Sequence, residues 1–246
     1  FFNDAALDIA AEPSKLFQYQ KRLGVPDQKL KNNLVYLESS GYIRAEMNEV
    51  ILIADVGDVG PDYQPGHAHA DTLSYEMSLF GQRMIVNSGT STYEPGCLRS
   101  WQRSTAAHST LELNNQNSSD VWSSFRVARR AYVVDVCIDQ SDTEILISGT
   151  HDGYCHFKGG GLHKREWRLW DKGLSIKDVV LGSVLPSISR VYFHPDVNVK
   201  PTVISFVDLF PGFYLNWTFD GAGQQVENSK WFPAFGDERD NRCIML

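Results

Sequence analysis

The four cysteines among 246 residues, Cys97, Cys137, Cys155 and Cys243, form no C-x-x-C pair. That spacing argues against a structural zinc knuckle, and free buried thiols are the expected state, although four cysteines allow three disulfide pairings. Long apolar runs are missing too. None approaches the roughly 20 residues that a spanning helix requires, so no membrane span is expected. A basic surplus is also absent. The formal net charge is −7, and nucleic acid is a poor match for it because phosphate binding needs a basic footprint. No internal repeat or low-complexity segment is visible. The chain opens Phe1-Phe2-Asn3-Asp4 with neither Met nor a secretory leader, the pattern of a trimmed or dissected chain.

What is present is ordinary for a folded domain. Apolar residues make up 42% and aromatics 12%, which excludes global disorder. Residues 5–16 and 15–34 carry helix formers at three-to-four spacing (Leu16, Tyr19, Leu23; Leu30, Leu34), broken at Pro26-Asp27. They predict one or two short helices over 1–33, or the tail of a preceding helical region. From Leu34 onward the period changes to two. Val50-Ile51-Leu52-Ile53-Ala54 and Met84-Ile85-Val86 read as strands. Further strands are predicted over 73–79, 109–113, 131–138, 143–149, 166–169, 174–180, 189–194, 203–207 and 213–219. Asp171-Lys172-Gly173 supplies a hairpin turn, and Gly159-Gly160-Gly161 reads as a flexible loop tip. Many short strands punctuated by Gly, Pro, Asn and Asp predict a mainly β chain, a large antiparallel β-sandwich over 34–246.

The residues that carry chemistry are histidines. Pro65-Gly66-His67-Ala68-His69-Ala70-Asp71 places two imidazoles two residues apart, which in extended backbone is one face. His108 follows in Arg103-Ser104-Thr105-Ala106-Ala107-His108-Ser109-Thr110. His69 and His108 are ligands of the kind zinc favours, with a third donor required from nearby. Asn87 offers a neutral carbonyl oxygen, and Asp71 could supply the charge instead. The basic clusters 126–130 and 163–168 alternate across a strand, so solvated surface is their expected role.

Longer motifs sharpen this. The stretch from Gly60 through His67-Ala68-His69-Ala70-Asp71 to Glu76 resembles the opening signature of the heparinase II/III-like family. The likeness continues through Val86-Asn87-Ser88-Gly89-Thr90-Ser91-Thr92-Tyr93-Glu94-Pro95-Gly96, through 103–110 and on to Trp122-Ser123-Ser124-Phe125-Arg126. The resemblance implies a β-sandwich that follows an α/α toroid domain in bacterial polysaccharide lyases, with a periplasmic or secreted location. Such enzymes cleave acidic, uronic-acid-containing polysaccharides by β-elimination. By the same resemblance His67 matches a histidine that faces substrate, and Tyr93 lies near an auxiliary active-site tyrosine. His69 and His108 match ligands of a divalent metal, commonly zinc. Asn87 stands where the family usually has an Asp ligand, which removes a negative charge. Arg103 and Arg126 are candidates for binding substrate carboxylate or sulfate, since guanidinium grips such groups bidentately.

Two other readings remain open. A non-catalytic carbohydrate-binding or scaffold domain would use aromatic platforms such as Trp101, Trp122 and Trp217, with Trp167 and Trp217 also able to serve as core. A metal-dependent hydrolase would need an open coordination position and an activated water.

Overall fold

A computed structural model describes the backbone of residues 1–26, 32–171, 173–199, 205–210, 213–217 and 223–246, and the side chains of those residues outside 200–222. Its first sheet grows from the two-residue period. In β2 (Tyr42–Met47) Ile43 and Ala45 point inward, and in β3 (Val50–Asp55) Leu52 and Ala54 do the same. β1 (Leu34–Leu37) lies outside β2, and β4 (Tyr75–Leu79) and β5 (Gln82–Val86) continue beyond β3. A short β6 (Leu111–Leu113) and the two-residue ribbon of β7 (Val121–Trp122) and β8 (Arg126–Val127) follow in the chain.

The second sheet is a four-stranded meander of β9 (Val133–Gln140), β10 (Glu144–His151), β11 (Leu162–Trp170) and β12 (Gly173–Leu181). Trp170 lies opposite Gly173, so β11 and β12 pair where the hairpin was expected; Lys172 of that turn lies outside the described residues. The chain then returns through β13 (Ser187–Phe193), which pairs with β5 and β6. β14 (Asn198–Val199), β15 (Ser205–Phe210) and β16 (Phe213–Trp217) form a small sheet. β17 (Gln225–Trp231) and β18 (Arg239–Met245) complete the first sheet beside β13. All named pairings are antiparallel, and sheet packs on sheet: Ile43, Leu52, Ala54, Tyr75 and Met77 meet Ile145, Ile147, Trp167 and Leu169 in one apolar cluster. This is the expected β-sandwich. Strands β17 and β18 were not legible as strands, because charged and amide residues interrupt their alternation.

Among the described residues of 1–33 the helical expectation is met by one helix, α1 (Pro13–Arg22), which buries none of its residues. Residues ahead of it are not helical. Asn3 and Asp8 adopt positive φ of 53° and 65°, a left-handed conformation that short polar side chains tolerate singly and that ends a helix. Part of the second expected helix, residues 27–31, lies outside the described residues, as do Val203 and Ile204 of the strand expected over 203–207. Among the described residues no helix is long and apolar enough to cross a membrane. The four cysteines are free, as expected, but only Cys243 is buried. Gly159–Gly161 is also more constrained than a flexible tip. A Cβ on Gly160 would sit 1.8 Å from the Tyr154 carbonyl oxygen, so the backbone approaches too closely for a side chain.

One polar network crosses this apolar interior. Along β11 the inward positions are His163, Arg165, Trp167 and Leu169. The Gly153 N–H donates to His151 Nδ1 (3.0 Å), leaving His151 Nε2 to meet His163 Nδ1 (3.0 Å) and His163 Nε2 to meet Asp178 Oδ1 (2.8 Å). Each nitrogen therefore has a complementary partner with both rings neutral. Burial, foremost, pushes both imidazoles below their ordinary pKa, as expected where the charged form is desolvated. Arg165 grips Asp178 with two 2.7 Å hydrogen bonds. It also donates to the carbonyls of Leu73 (2.9 Å) and Ser109 (2.7 Å). Those two residues close the segments that carry His69-Ala70-Asp71 and His108. The core thus braces the site.

Candidate active site and metal centre

His67 does not sit on a strand. Pro65–His67 forms one 3-10 turn, and extended backbone resumes at Ala68. The same-face expectation for the two histidines is therefore replaced by another convergence. The His67 ring points outward, 58% exposed, whereas His69 is fully buried, yet both rings reach one carboxylate. His67 Nδ1 is 3.0 Å from Asp4 Oδ2, and His69 Nε2 is 2.7 Å from Asp4 Oδ1.

The inner side of His69 faces His108. His69 Nδ1 and His108 Nε2 are 3.1 Å apart, and the rings meet edge to face. His108 Nδ1 lies 2.8 Å from the Ser104 carbonyl, so it must carry that ring's proton. His69 Nε2 likewise carries a proton toward Asp4. When both rings are neutral, the two converging nitrogens each present a lone pair and no hydrogen lies between them. This is the opposite of the His151–His163 pair, where a hydrogen bond fits. Burial, above all, lowers the His108 pKa to about 4, so an added proton on that ring is disfavoured at neutral pH.

A cation resolves the conflict better than a proton. Ligand atoms of His69, Asp71 and His108 all lie within 4.8 Å of one another, and all three residues are buried. Two imidazoles and a carboxylate are a zinc-type donor set. Asp4 and the Ser104 carbonyl hold the outer nitrogens as outer-shell acceptors commonly do. The residues present therefore fit a divalent metal, which His69, Asp71 and His108 could hold.

Asn87 is buried, and both ends of its amide are engaged. Its Oδ1 accepts the Ser109 N–H at 2.8 Å, and its Nδ2 lies 3.4 Å from Ser74 Oγ. The amide thus supports the backbone immediately after His108. Gly89 follows at φ 82°, where a Cβ would meet the Phe232 carbonyl oxygen at 2.1 Å. That close approach seats the Thr90–Tyr93 segment over the site.

Around His67 the outer wall is aromatic. Its ring centroid is 5.8 Å from Tyr93 and 5.3 Å from Phe125, and Tyr93 is 4.7 Å from Phe235. Burial, then the nearby Asp4 charge, raises the Tyr93 pKa, partly offset by Arg99. The phenol is therefore held in its protonated form. Arg126 is exposed beside this wall. Trp122 and Phe125 are half-exposed and Tyr63 is 88% exposed. Trp101 instead packs on Tyr192 and Phe232, Trp167 is core, and the Trp217 side chain lies outside the described residues.

Arg103 is turned inward, unlike the substrate-facing position expected. Its guanidinium is fully buried. It donates to the carbonyls of Ala68 (2.9 Å), Trp122 (3.1 Å), Ser123 (3.3 Å) and Arg126 (3.1 Å). It clasps the histidine loop to the β7–β8 ribbon by donating to carbonyls on both, as buried backbone acceptors require. Burial first, then the charge of Arg99, lowers its pKa to about 10.

Three residues absent from the sequence reading complete the centre. Arg99, fully buried on α2 (Cys97–Gln102), lies 2.8 Å from Asp4 Oδ2 and also donates to the Ser124 carbonyl. Thr90 Oγ1 is 3.4 Å from Asp4 Oδ1. Burial alone would raise the Asp4 carboxyl, but hydrogen bonds from His69 and Arg99, with the Arg99 charge, hold it well below the usual carboxylate range. The spacing Arg99/Arg103, four apart on one helical face, was a legible signal for Arg99. Nothing in the sequence pointed from Asp4 to histidines more than sixty residues away.

Comparison with known proteins places the fold. The chain matches the solved structure of heparan sulfate lyase HepC from Pedobacter heparinus with a TM-score of 0.77 at 16% identity, covering 99% of this chain and 40% of that one. A heparinase III structure gives 0.74 at 14% identity, with 99% and 41% covered. At such identities the likeness establishes the fold, and this chain spans about two fifths of the length of those structures. A search of curated protein sequences found no match. The family model described as "Heparinase II/III-like, C-terminal" matches residues 30–245, and on that match, over most of its length, the chain belongs to the heparinase II/III-like C-terminal family.

Proposed function

We propose that this chain is the β-sandwich half of a polysaccharide lyase acting on uronic-acid-containing polymers, the other half of the cleft coming from a preceding toroid-type domain. The observation that carries the reading is His67. It is an outward imidazole whose Nδ1 is held by a buried carboxylate and whose other nitrogen opens beside Tyr93. β-Elimination requires three things of the protein: neutralisation of the uronate carboxylate, removal of the C5 proton, and protonation of the departing O4. His67 Nε2 suits the base role, or, once protonated, charge neutralisation. Tyr93, held protonated, suits donation to O4. Arg126 is the exposed guanidinium near enough in the fold to meet a substrate anion. A divalent metal at His69, Asp71 and His108 would supply fixed positive charge that ties the two histidine segments together.

Two measurements test this. Absorbance from unsaturated uronate, followed over a panel of uronate polymers, should appear with this chain extended by any coding sequence upstream of Phe1, and weakly or not at all with residues 1–246 alone. No absorbance from either, with polymer retained, favours the carbohydrate-binding reading, for which the exposed Tyr63, Trp122, Phe125 and Phe235 are the stacking surface. Hydrolysis would leave no unsaturated end. For the metal, Zn2+ at about a hundred times its Kd should add about 2.7 kcal/mol of stability, and His108→Ala should remove that increment. The gain should shrink at acid pH as protons compete for the imidazoles. Equal stabilisation of wild type and variant by Zn2+ would assign the ion elsewhere.

A further inference from the structure

We propose that Asp4 is the positioning residue of this site, one carboxylate setting the tautomers of both histidines so that His67 Nε2 faces outward as a lone pair and His69 Nδ1 faces inward toward His108 and Asp71. Only its effect on turnover rests on the lyase reading; the structural claim stands without it.

Donors and acceptors around Asp4 decide the tautomers. An ionised carboxylate accepts and cannot donate. Asp4 Oδ2 faces His67 Nδ1 at 3.0 Å and Arg99 at 2.8 Å, and Oδ1 faces His69 Nε2 at 2.7 Å and Thr90 Oγ1 at 3.4 Å. Every neighbour is a donor, so each imidazole nitrogen turned to Asp4 must carry a proton. The opposite nitrogens then carry lone pairs. For His67 this is the less common tautomer, since free neutral histidine prefers its proton on Nε2. Without Asp4, the nitrogen presented to the open face would bear a proton and could not act as a base.

Arg99 makes the arrangement durable. It is fully buried, supplies the compensating charge, and is itself anchored to the Ser124 carbonyl in the turn that carries Phe125. The outward histidine and the inward, metal-facing histidine thus share a single support contributed by a segment more than sixty residues upstream. Loosening that support should disturb both at once, which no arrangement of two independent supports would do.

The test begins with the wild-type chain. In alkaline buffer, long-range proton–nitrogen NMR of the imidazoles, with His67→Ala used for assignment, should show the His67 proton on Nδ1 and the His69 proton on Nε2. Asp4→Asn replaces two acceptors by one acceptor and one donor, so at least one ring should change tautomer. Asp4→Ala should return His67 to the Nε2–H form. Zn2+ affinity by equilibrium dialysis should fall roughly tenfold to hundredfold in either variant, the usual effect of losing an outer-shell acceptor. Where turnover is measurable, kcat should fall about 10²–10⁴-fold with KM little changed. A wild-type His67 proton on Nε2, or unaltered tautomers in Asp4→Asn, would overturn the proposal, and the first of these needs no variant to fold. A wild type without lyase activity but with the expected tautomers would overturn the function and leave Asp4's role standing.

Discussion

Replacing Arg165 by Met should lower the stability of the domain by about 3–5 kcal/mol, the cost of removing one partner from a buried ion pair and leaving the other uncompensated. Arg165 is 1% exposed and is matched to Asp178 through two 2.7 Å hydrogen bonds. Burial alone would raise the Asp178 carboxyl, yet the charge and hydrogen bonds of Arg165, with His163, hold it far below the usual carboxylate range. Without the guanidinium that carboxylate faces a desolvated interior. The carbonyls of Leu73 and Ser109 lose their donor as well, at about 1–3 kcal/mol for a buried group left unsatisfied. In a domain of this size the midpoint of thermal unfolding should fall by roughly 10 °C.

The double replacement Arg165→Met with Asp178→Leu should be less destabilised than the single one, since it removes the orphaned charge along with its partner. A single variant within about 1 kcal/mol of wild type in denaturant titration would show that the network is ornamental to stability. Because Leu73 and Ser109 adjoin the histidine segments, Zn2+ affinity should fall in the same variant even at temperatures where it remains folded. A protein that loses stability but binds Zn2+ as before would separate the brace from the site.

His67→Ala is the second large effect, and it should be the reverse in kind. The ring is mostly exposed, so stability should change by no more than roughly 0.5 kcal/mol, as at most surface positions. Turnover of a uronate polymer by the extended chain should fall about 10²–10⁴-fold, the usual contribution of a positioned acid or base, with retention of the polymer nearly intact. On the proposed function, removing the imidazole takes away the nitrogen that would meet the C5 proton but leaves Arg126 and the aromatic wall. Loss of polymer retention with turnover preserved would invert the roles and make His67 a binding group. Because Asp4 keeps Arg99 and His69 in this variant, its effect should also differ from that of Asp4→Asn: Zn2+ affinity should hold in the first and drop in the second.

Much of the fold was visible in the chain. The run Val50-Ile51-Leu52-Ile53-Ala54 and the hairpin at Asp171-Lys172-Gly173 report local preferences, period two and turn chemistry, that each segment carries by itself. So does the pairing of Gly66 with two histidines and an aspartate. The likeness of 60–76, 86–96 and 103–110 to a known family ordered those motifs correctly and was upheld by the family match over 30–245. Arg103 shows the limit. Its composition and position suggested a grip on substrate, but guanidinium serves a buried carbonyl as readily as a carboxylate, and only the path of the β7–β8 turn decided which it met.

The sequence alone determined that the chain would build antiparallel sheets and set His67, His69 and Asp71 close together, because period, turn residues and motif spacing are properties of short stretches; that His108 would join them was implied only by the likeness to a known family. Tertiary structure alone decided that Asp4 and Arg99 would stand between those histidines, that Arg165 would reach from the second sheet to brace their segments, and that of two histidine pairs some 3 Å apart only His69–His108 would converge without a hydrogen between them. Charge and hydrogen-bond complementarity act across space, and sequence distance carries no record of which acceptor a buried donor will find.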